Sequence, residues 1–372
     1  MNTFFTAIKE TFKSIFTDAG VLLLLIIAPV IYGLYYPLPY STEIVRNVPV
    51  AIVDNAHDSL SRKMIRMITA TPTVTAEVVS NERQAKQLLL EDKILALMVI
   101  PENLQRNVIL GKPATVNMIG NGSYVLASKY AQQSMASAVL TLSAGVEIKK
   151  LLPFAKSYQK VTAIREPVPL QIQPLYNQTE GYGSYVVPAV AWLILQQTLL
   201  IACAMLVSTW YEKHNAYATA TQWLGRLTTI SLIHYIICLG YTGSMFSFWG
   251  YPSGANPIGN LLLIALFSPC VATLGCLLGL LIKDRERTMQ ILVFSALPMY
   301  FMSGFSWPAD LLPTVLQYLR WIFPSTSVIQ AGVSLNQLGG TVLENLHYFI
   351  ALGIITWLGL AMLFWFGREK EH

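Results

Sequence analysis

The sequence predicts an α-helical polytopic membrane protein, with six transmembrane helices and an extracytoplasmic α/β domain inserted between the first and second. Three observations carry this expectation. Hydrophobic residues fill 54% of 372 positions, charged residues only 12%, and mean hydropathy is +0.49, outside the range of soluble domains. Five long stretches lack Asp, Glu, Lys and Arg, and a helix needs ~20 apolar residues to cross ~30 Å of hydrocarbon. Between the first two of these stretches the charges crowd into one segment. The same counts exclude disorder, a collagen-like repeat and a disulfide-stapled scaffold. The four cysteines, Cys203, Cys238, Cys270 and Cys276, lie in apolar stretches and read as small buried hydrophobes with no redox or metal role.

Residues 1–18 read as a cytoplasmic amphipathic helix on the membrane surface. Phe4, Phe5, Ile8, Phe12, Ile15 and Phe16 recur at spacings of three and four, with Lys9, Glu10 and Lys13 between them. Two lysines before an apolar run also suit a signal peptide. The run from Ala19 to Thr42 is too long for that, carries Pro29 and Pro37, and offers no small-residue cleavage site, so a first transmembrane helix is expected at 19–37. Residues 184–372 hold five more spans. The first lies within Gly181–Tyr211, and two more share the 56 uncharged residues of Leu227–Ile282. The breaker-rich Tyr251–Pro257 divides that pair into spans near 227–248 and 259–282. Thr288–Ala309 and Asn345–Gly367 hold the last two.

Positive residues near span ends stay cytoplasmic. Lys9 and Lys13, Lys213 and Arg226, Lys283, Arg285 and Arg287, then Arg368 and Lys370 all fall on one side of a six-span arrangement, so both termini are expected to be cytoplasmic. Residues 38–183 then face outward. They hold 15 of the 25 basic and 11 of the 20 acidic residues, the composition of a water-soluble domain. β-rich runs at Val48–Val53, Thr73–Val79, Ile94–Ile100 and Ala114–Ile119 alternate with helical stretches at 59–69, 81–91 and 101–109, the pattern of a small α/β domain. A long Ala/Ser/Gln-rich helical stretch follows to about Lys150. The excess of four basic residues is ordinary solvated charge, and no nucleic-acid partner is expected.

Catalytic constellations are missing from the sequence. Gly111-Lys112 is followed by proline and has no glycine five places before it, so no phosphate loop is present, and the five histidines have no metal-ligand spacing. No cofactor is expected on this chain. Gln196, Gln197 and His234 are polar residues inside spans; they either line a translocation path or hydrogen-bond between helices. The near absence of charge within spans argues against a proton- or ion-coupled pump.

The segment after the fifth span, Ser303-Gly304-Phe305-Ser306-Trp307-Pro308, then Pro313 and Pro324, is apolar but rich in breakers, and suits short broken helices re-entering the outer leaflet over 304–340. It resembles the permease subunits of type-2 ATP-binding-cassette exporters, in which a Ser-Gly-Phe-x-x-Pro run follows the fifth span. Val50-Ala51-Ile52-Val53-Asp54-Asn55, Ala96 to Leu104 and Gly111-Lys112-Pro113-Ala114 look like the external domain of the branch that works with a periplasmic membrane-fusion protein. The resemblance covers essentially the whole chain and implies a bacterial inner-membrane location among membrane lipid.

The same resemblance implies a dimer, either of this chain with itself or with a paralogous permease, and a separate ATP-binding-cassette ATPase subunit that holds ATP and Mg. The loop at 210–223 corresponds to the coupling helix that docks on that ATPase, led by Trp210, Tyr211, Glu212, Lys213 and His214; Glu212 matches the acidic position that opens it, whereas Asn215-Ala216-Tyr217 replaces the usual Gly-Thr. Lys283–Arg287 falls on the same side and either adds to the docking face or only sets topology. The implied activity is outward transport of a hydrophobic or amphipathic molecule by a permease without its own ATPase site. A non-transporting membrane receptor or secretion component is the rival; a membrane-embedded lipid enzyme would need a polar interfacial cluster that the sequence lacks.

Overall fold

A computed structural model describes residues 2–155, 157–177 and 180–368. In chain order it contains α1 (Asn2–Thr17), the composite helix α2 (Ala19–Tyr40), β1 (Val48–Asp54), α3 (Ser59–Thr69), β2 (Val74–Val79), α4 (Glu82–Leu90), β3 (Ala96–Ile100), α5 (Leu104–Ile109), β4 (Asn117–Gly120), α6 (Val125–Ala155) and α7 (Tyr158–Arg165). There follow α8 (Tyr182–Glu212), α9 (Ala220–Trp249), α10 (Pro257–Ile282), α11 (Arg285–Met302), α12 (Thr314–Leu319), α13 (Pro324–Asn336) and α14 (Leu346–Phe366). The chain divides into two compact units, Ile44–Gln173 and the remainder.

The remainder is helical. Among the described residues five helices are long and apolar enough to cross a membrane: α2, α8, α9, α10 and α14. The expected span at 288–309 is the helix α11, which starts three residues earlier, carries Arg285, Glu286 and Arg287 in its first turn and stops at Met302. Ser303 caps it and Gly304 follows at φ +78°, a left-handed conformation that glycine adopts without steric cost. Within α2, Leu23–Ile27 forms a π-helical turn, and a second one occupies Gly240–Met245 of α9.

α8 is the axle of this unit: 83% of its apolar stretch is buried, against 17% for the peripheral α14. Small residues let α10 lie close against it. A Cβ on Gly275 would come within 2.8 Å of the Leu200 carbonyl oxygen, and one on Gly279 within 2.9 Å of the Val207 Cβ. This is the four-residue glycine spacing by which helices approach in lipid, where backbone proximity and dispersion replace the hydrophobic drive.

The Ile44–Gln173 unit is built on a four-stranded sheet in the order β2-β1-β3-β4, with β1 parallel to both β2 and β3, and β4 antiparallel to β3. Strand alternation splits its core between two faces. Val50, Ile52, Met98 and Ile100 pack with Met64, Ile68 and Met135 from α3 and α6; Ala51, Val53 and Leu97 pack with Ala85 of α4 on the other face. The central strand β1 is buried on both faces, as parallel strands usually are, and reads as a nearly unbroken apolar run. The strand expected over 114–119 forms only at Asn117–Gly120, at the sheet edge.

Candidate functional site

Several chain segments converge at the end of the helical unit where α8 stops. Trp210, Tyr211 and Glu212 are the last helical residues and Lys213 is the C-cap. His214 follows at φ +55°, its N–H donating to the Tyr211 carbonyl (3.0 Å), while the Asn215 N–H donates to the Trp210 carbonyl (2.8 Å). This is a Schellman turn with histidine at the left-handed position that glycine normally takes. The chain then runs across to Thr219, whose hydroxyl accepts from the Gln222 N–H (3.3 Å) while Gln222 Oε1 accepts from the Thr219 N–H (2.8 Å), a capping box that starts α9. The expected coupling segment is therefore a helix end, a short loop of about 213–219 and a helix start. Glu212, Lys213, His214, Asn215, Tyr217 and Thr219 are exposed, whereas Ala216 and Ala218 are buried.

What fixes the loop is Arg226, one turn into α9 and only 8% exposed. Its Nη1 donates to the Ala216 carbonyl (2.8 Å) and its Nη2 to the Asn215 carbonyl (3.1 Å). The guanidinium lies between two indoles, 4.4 Å from the Trp210 ring centroid and 4.7 Å from that of Trp223. Trp223 Nε1 donates to the Gly367 carbonyl at the end of α14 (3.0 Å), and the Ala218 N–H donates to the same oxygen (2.9 Å).

A second node lies beside it. Lys283 Nζ sits 5.1 Å over the ring of Tyr211, so the loop between α10 and α11 meets the end of α8. Arg285 forms an ion pair with Asp18 at the α1–α2 junction, and also donates to Thr209 Oγ1 (2.7 Å). Asp18 Oδ1 caps α2 by accepting from the Gly20 and Val21 N–H groups (3.0 and 3.1 Å). The hydrogen bond from Arg285 holds the Asp18 carboxyl below the ordinary carboxylate range, despite partial burial acting the other way.

The intramembrane polar residues do not gather into one site. Gln196 and Gln197 both turn their Nε2 to Met299 Sδ on α11 (3.3 and 3.4 Å), and neither Oε1 has a partner among the described residues. His234 is satisfied between helices, Nδ1 facing Ser268 Oγ (2.9 Å) and Nε2 facing the Leu195 carbonyl (3.2 Å). An almost wholly apolar groove of about 330 Å³, lined by residues such as Val30, Gly33, Ile237 and Phe248, opens between α2 and α9.

In the segment expected to re-enter the membrane, each proline stands where a helix begins: Pro308 before the short turn at Ala309–Leu311, Pro313 before α12, and Pro324 as the first residue of α13. Gln330 Nε2 donates to the Ser303 carbonyl (3.0 Å), and Tyr185 donates from its hydroxyl to the Phe305 carbonyl (2.9 Å) with the two rings stacked at 4.5 Å. The turn around Gly304 is thereby tied to α13 and α8.

The expected coupling residues thus meet at one end of the bundle, with Asp18, Thr209 and Gly367 as partners that sequence reasoning did not assign, and with Arg226, expected only as a span-end charge, at their centre. A readable signal was Arg226 three places after Trp223, the spacing that puts a cation and an indole on one helix face.

The five long apolar helices fit a multi-pass membrane protein, and its candidate site is a convergence of loops and helix ends at one end of the bundle. The chain belongs to the ABC-2 transporter family: the model for the ABC-2 family transporter protein matches residues 19–366. Two relatives, each described as "Probable multidrug ABC transporter permease YbhR", from Escherichia coli strain K12 and Escherichia coli O157:H7, are each 22% identical to it over 340 residues, covering 86% of this chain and 85% of their own. Membership of the family implies a transport component rather than an enzyme, with an ATPase partner and a dimeric arrangement.

Proposed function

We propose that this chain is the membrane subunit of an ATP-driven exporter that moves a hydrophobic or amphipathic molecule outward across a bacterial inner membrane. ATP and Mg bind to the separate ATPase subunit. In this reading α11 completes a set of six spans, both termini are cytoplasmic, and the 44–173 unit is extracytoplasmic, where it contacts a periplasmic membrane-fusion protein. Two copies, or this chain and a paralogous permease, enclose the path. The relatives' name supports the cargo class.

The observation that carries the reading is the anchored, solvent-exposed loop around Glu212. A loop held on three helices can pass a partner's movement into α8 and α9 without deforming first. Purification of the tagged chain from native membranes in mild detergent, with mass spectrometry of what copurifies, tests it. An ATP-binding-cassette subunit should be recovered, and Glu212→Arg should lose it while the chain still inserts. A folded, dimeric chain recovered without any ATPase would favour a receptor or secretion component instead.

A further inference from the structure

We propose that Arg226 is the positioning residue of the coupling loop: it fixes the main chain at Asn215 and Ala216, and so presets the surface that the ATPase subunit contacts. The inference rests on the exporter reading for the partner's identity, and on the geometry alone for what Arg226 does to the loop.

Three features separate Arg226 from an ordinary positive residue at a span end. Such residues work by charge and leave their heads in water, yet Arg226 is buried beneath the loop. Its two main-chain bonds reach consecutive carbonyls of the loop from two nitrogens of one planar fork, a fixed spacing of donors that the single nitrogen of a lysine does not reproduce. The guanidinium is also clamped between the last turn of α8 and the first turn of α9 by Trp210 and Trp223, so it stitches both ends of the loop to its middle.

The loop has a need for such a clamp. His214 is held in the left-handed region without being glycine, a conformation that persists only where its surroundings over-determine it. Two carbonyls pulled inward by Arg226 turn the exposed side chains of Asn215 and Tyr217 outward, and leave room beneath the chain only for the small side chains of Ala216 and Ala218. The bond from Trp223 to Gly367 carries the same block to the end of α14.

The test measures amide hydrogen exchange and ATPase capture for the full chain and for Arg226→Lys, which keeps the charge but loses the fork. Trp223→Phe, which keeps the ring but not the bond to Gly367, is run beside it. The expected result for Arg226→Lys is exchange about tenfold faster confined to residues 213–219, together with capture of the ATPase weakened about tenfold. Trp223→Phe should raise exchange in the same segment by a smaller factor, and decides alone if the lysine variant fails to insert. Unchanged exchange at 213–219 would overturn the proposal. So would faster exchange spread through α8, α9 and α14, which would make Arg226 a packing residue only. Faster loop exchange with unweakened capture would show that the preset shape is not what the partner reads. If the unaltered chain captures no ATPase, the exporter reading fails, while the exchange result still decides whether Arg226 orders the loop.

Discussion

Arg226 and Arg285 count equally in the sequence as positive charges beside membrane spans, and that count yields topology but not partners. The structure separates them: Arg226 is spent on carbonyls and indoles, Arg285 on Asp18 and Thr209. Asp18 lies 267 positions from Arg285, a separation across which no spacing rule operates. Asp18→Asn is expected to destabilise the chain by about 1.5–3 kcal/mol at pH 7, the ordinary worth of hydrogen bonds to a charged group. The carboxyl's folded value lies below its unfolded one, so its stabilisation is complete above about pH 4 and fades as pH falls through the lower folded value. Melting curves in detergent should show a gap between Asp18→Asn and the unaltered chain that closes on acidification past that point. A gap constant with pH would mean that the charge contributes nothing. Among the intramembrane polar residues, the sequence left open path lining or interhelical bonding; His234, Gln196 and Gln197 all make contacts of the second kind, and the two glutamine Oε1 atoms have no partner among the described residues.

At the scale of elements, charge-free length located the long apolar helices, because desolvating a charge in hydrocarbon is costly enough to leave clear gaps. It was less exact for α11, where the charge-free stretch runs to Ala309 but the helix ends at Met302. Of the seven uncharged residues after it, Ser303 and Phe305 are tied as turns to α13 and α8, whereas Ser306, Trp307 and Pro308 are exposed. Glycine spacing within α10 was present in the sequence as Gly275 and Gly279, but which helix it faced was not. Gly279→Leu would force a side chain into the Ala204–Val207 surface of α8 and is expected to cost about 1–3 kcal/mol. Gly243→Leu, at a position where an added Cβ meets nothing within 4 Å, is the control and should leave the melting temperature within a degree or two of the unaltered chain.

For the whole molecule, charge density shifts between residues 38–183 and the rest, and the described structure divides into compact units, one of them Ile44–Gln173. If that unit lies outside the cytoplasm, Glu82→Cys should react with a membrane-impermeant maleimide in cells with a permeabilised outer membrane, and Lys213→Cys should react only after the inner membrane is opened. The four native cysteines are buried and add little background. Equal reaction at both positions in intact inner membranes would refute the arrangement. By itself the sequence determined that the protein lives in a membrane, roughly where its helices run, and that one segment has the charge density of a water-soluble domain, because hydration cost acts on each residue locally and accumulates along the chain. Only the tertiary structure decided what Arg226, Trp223, Gly367, Asp18 and Arg285 do. Their contacts join residues brought together by helix packing, and the energy of a buried guanidinium depends on which carbonyls and rings surround it, which no local pattern records.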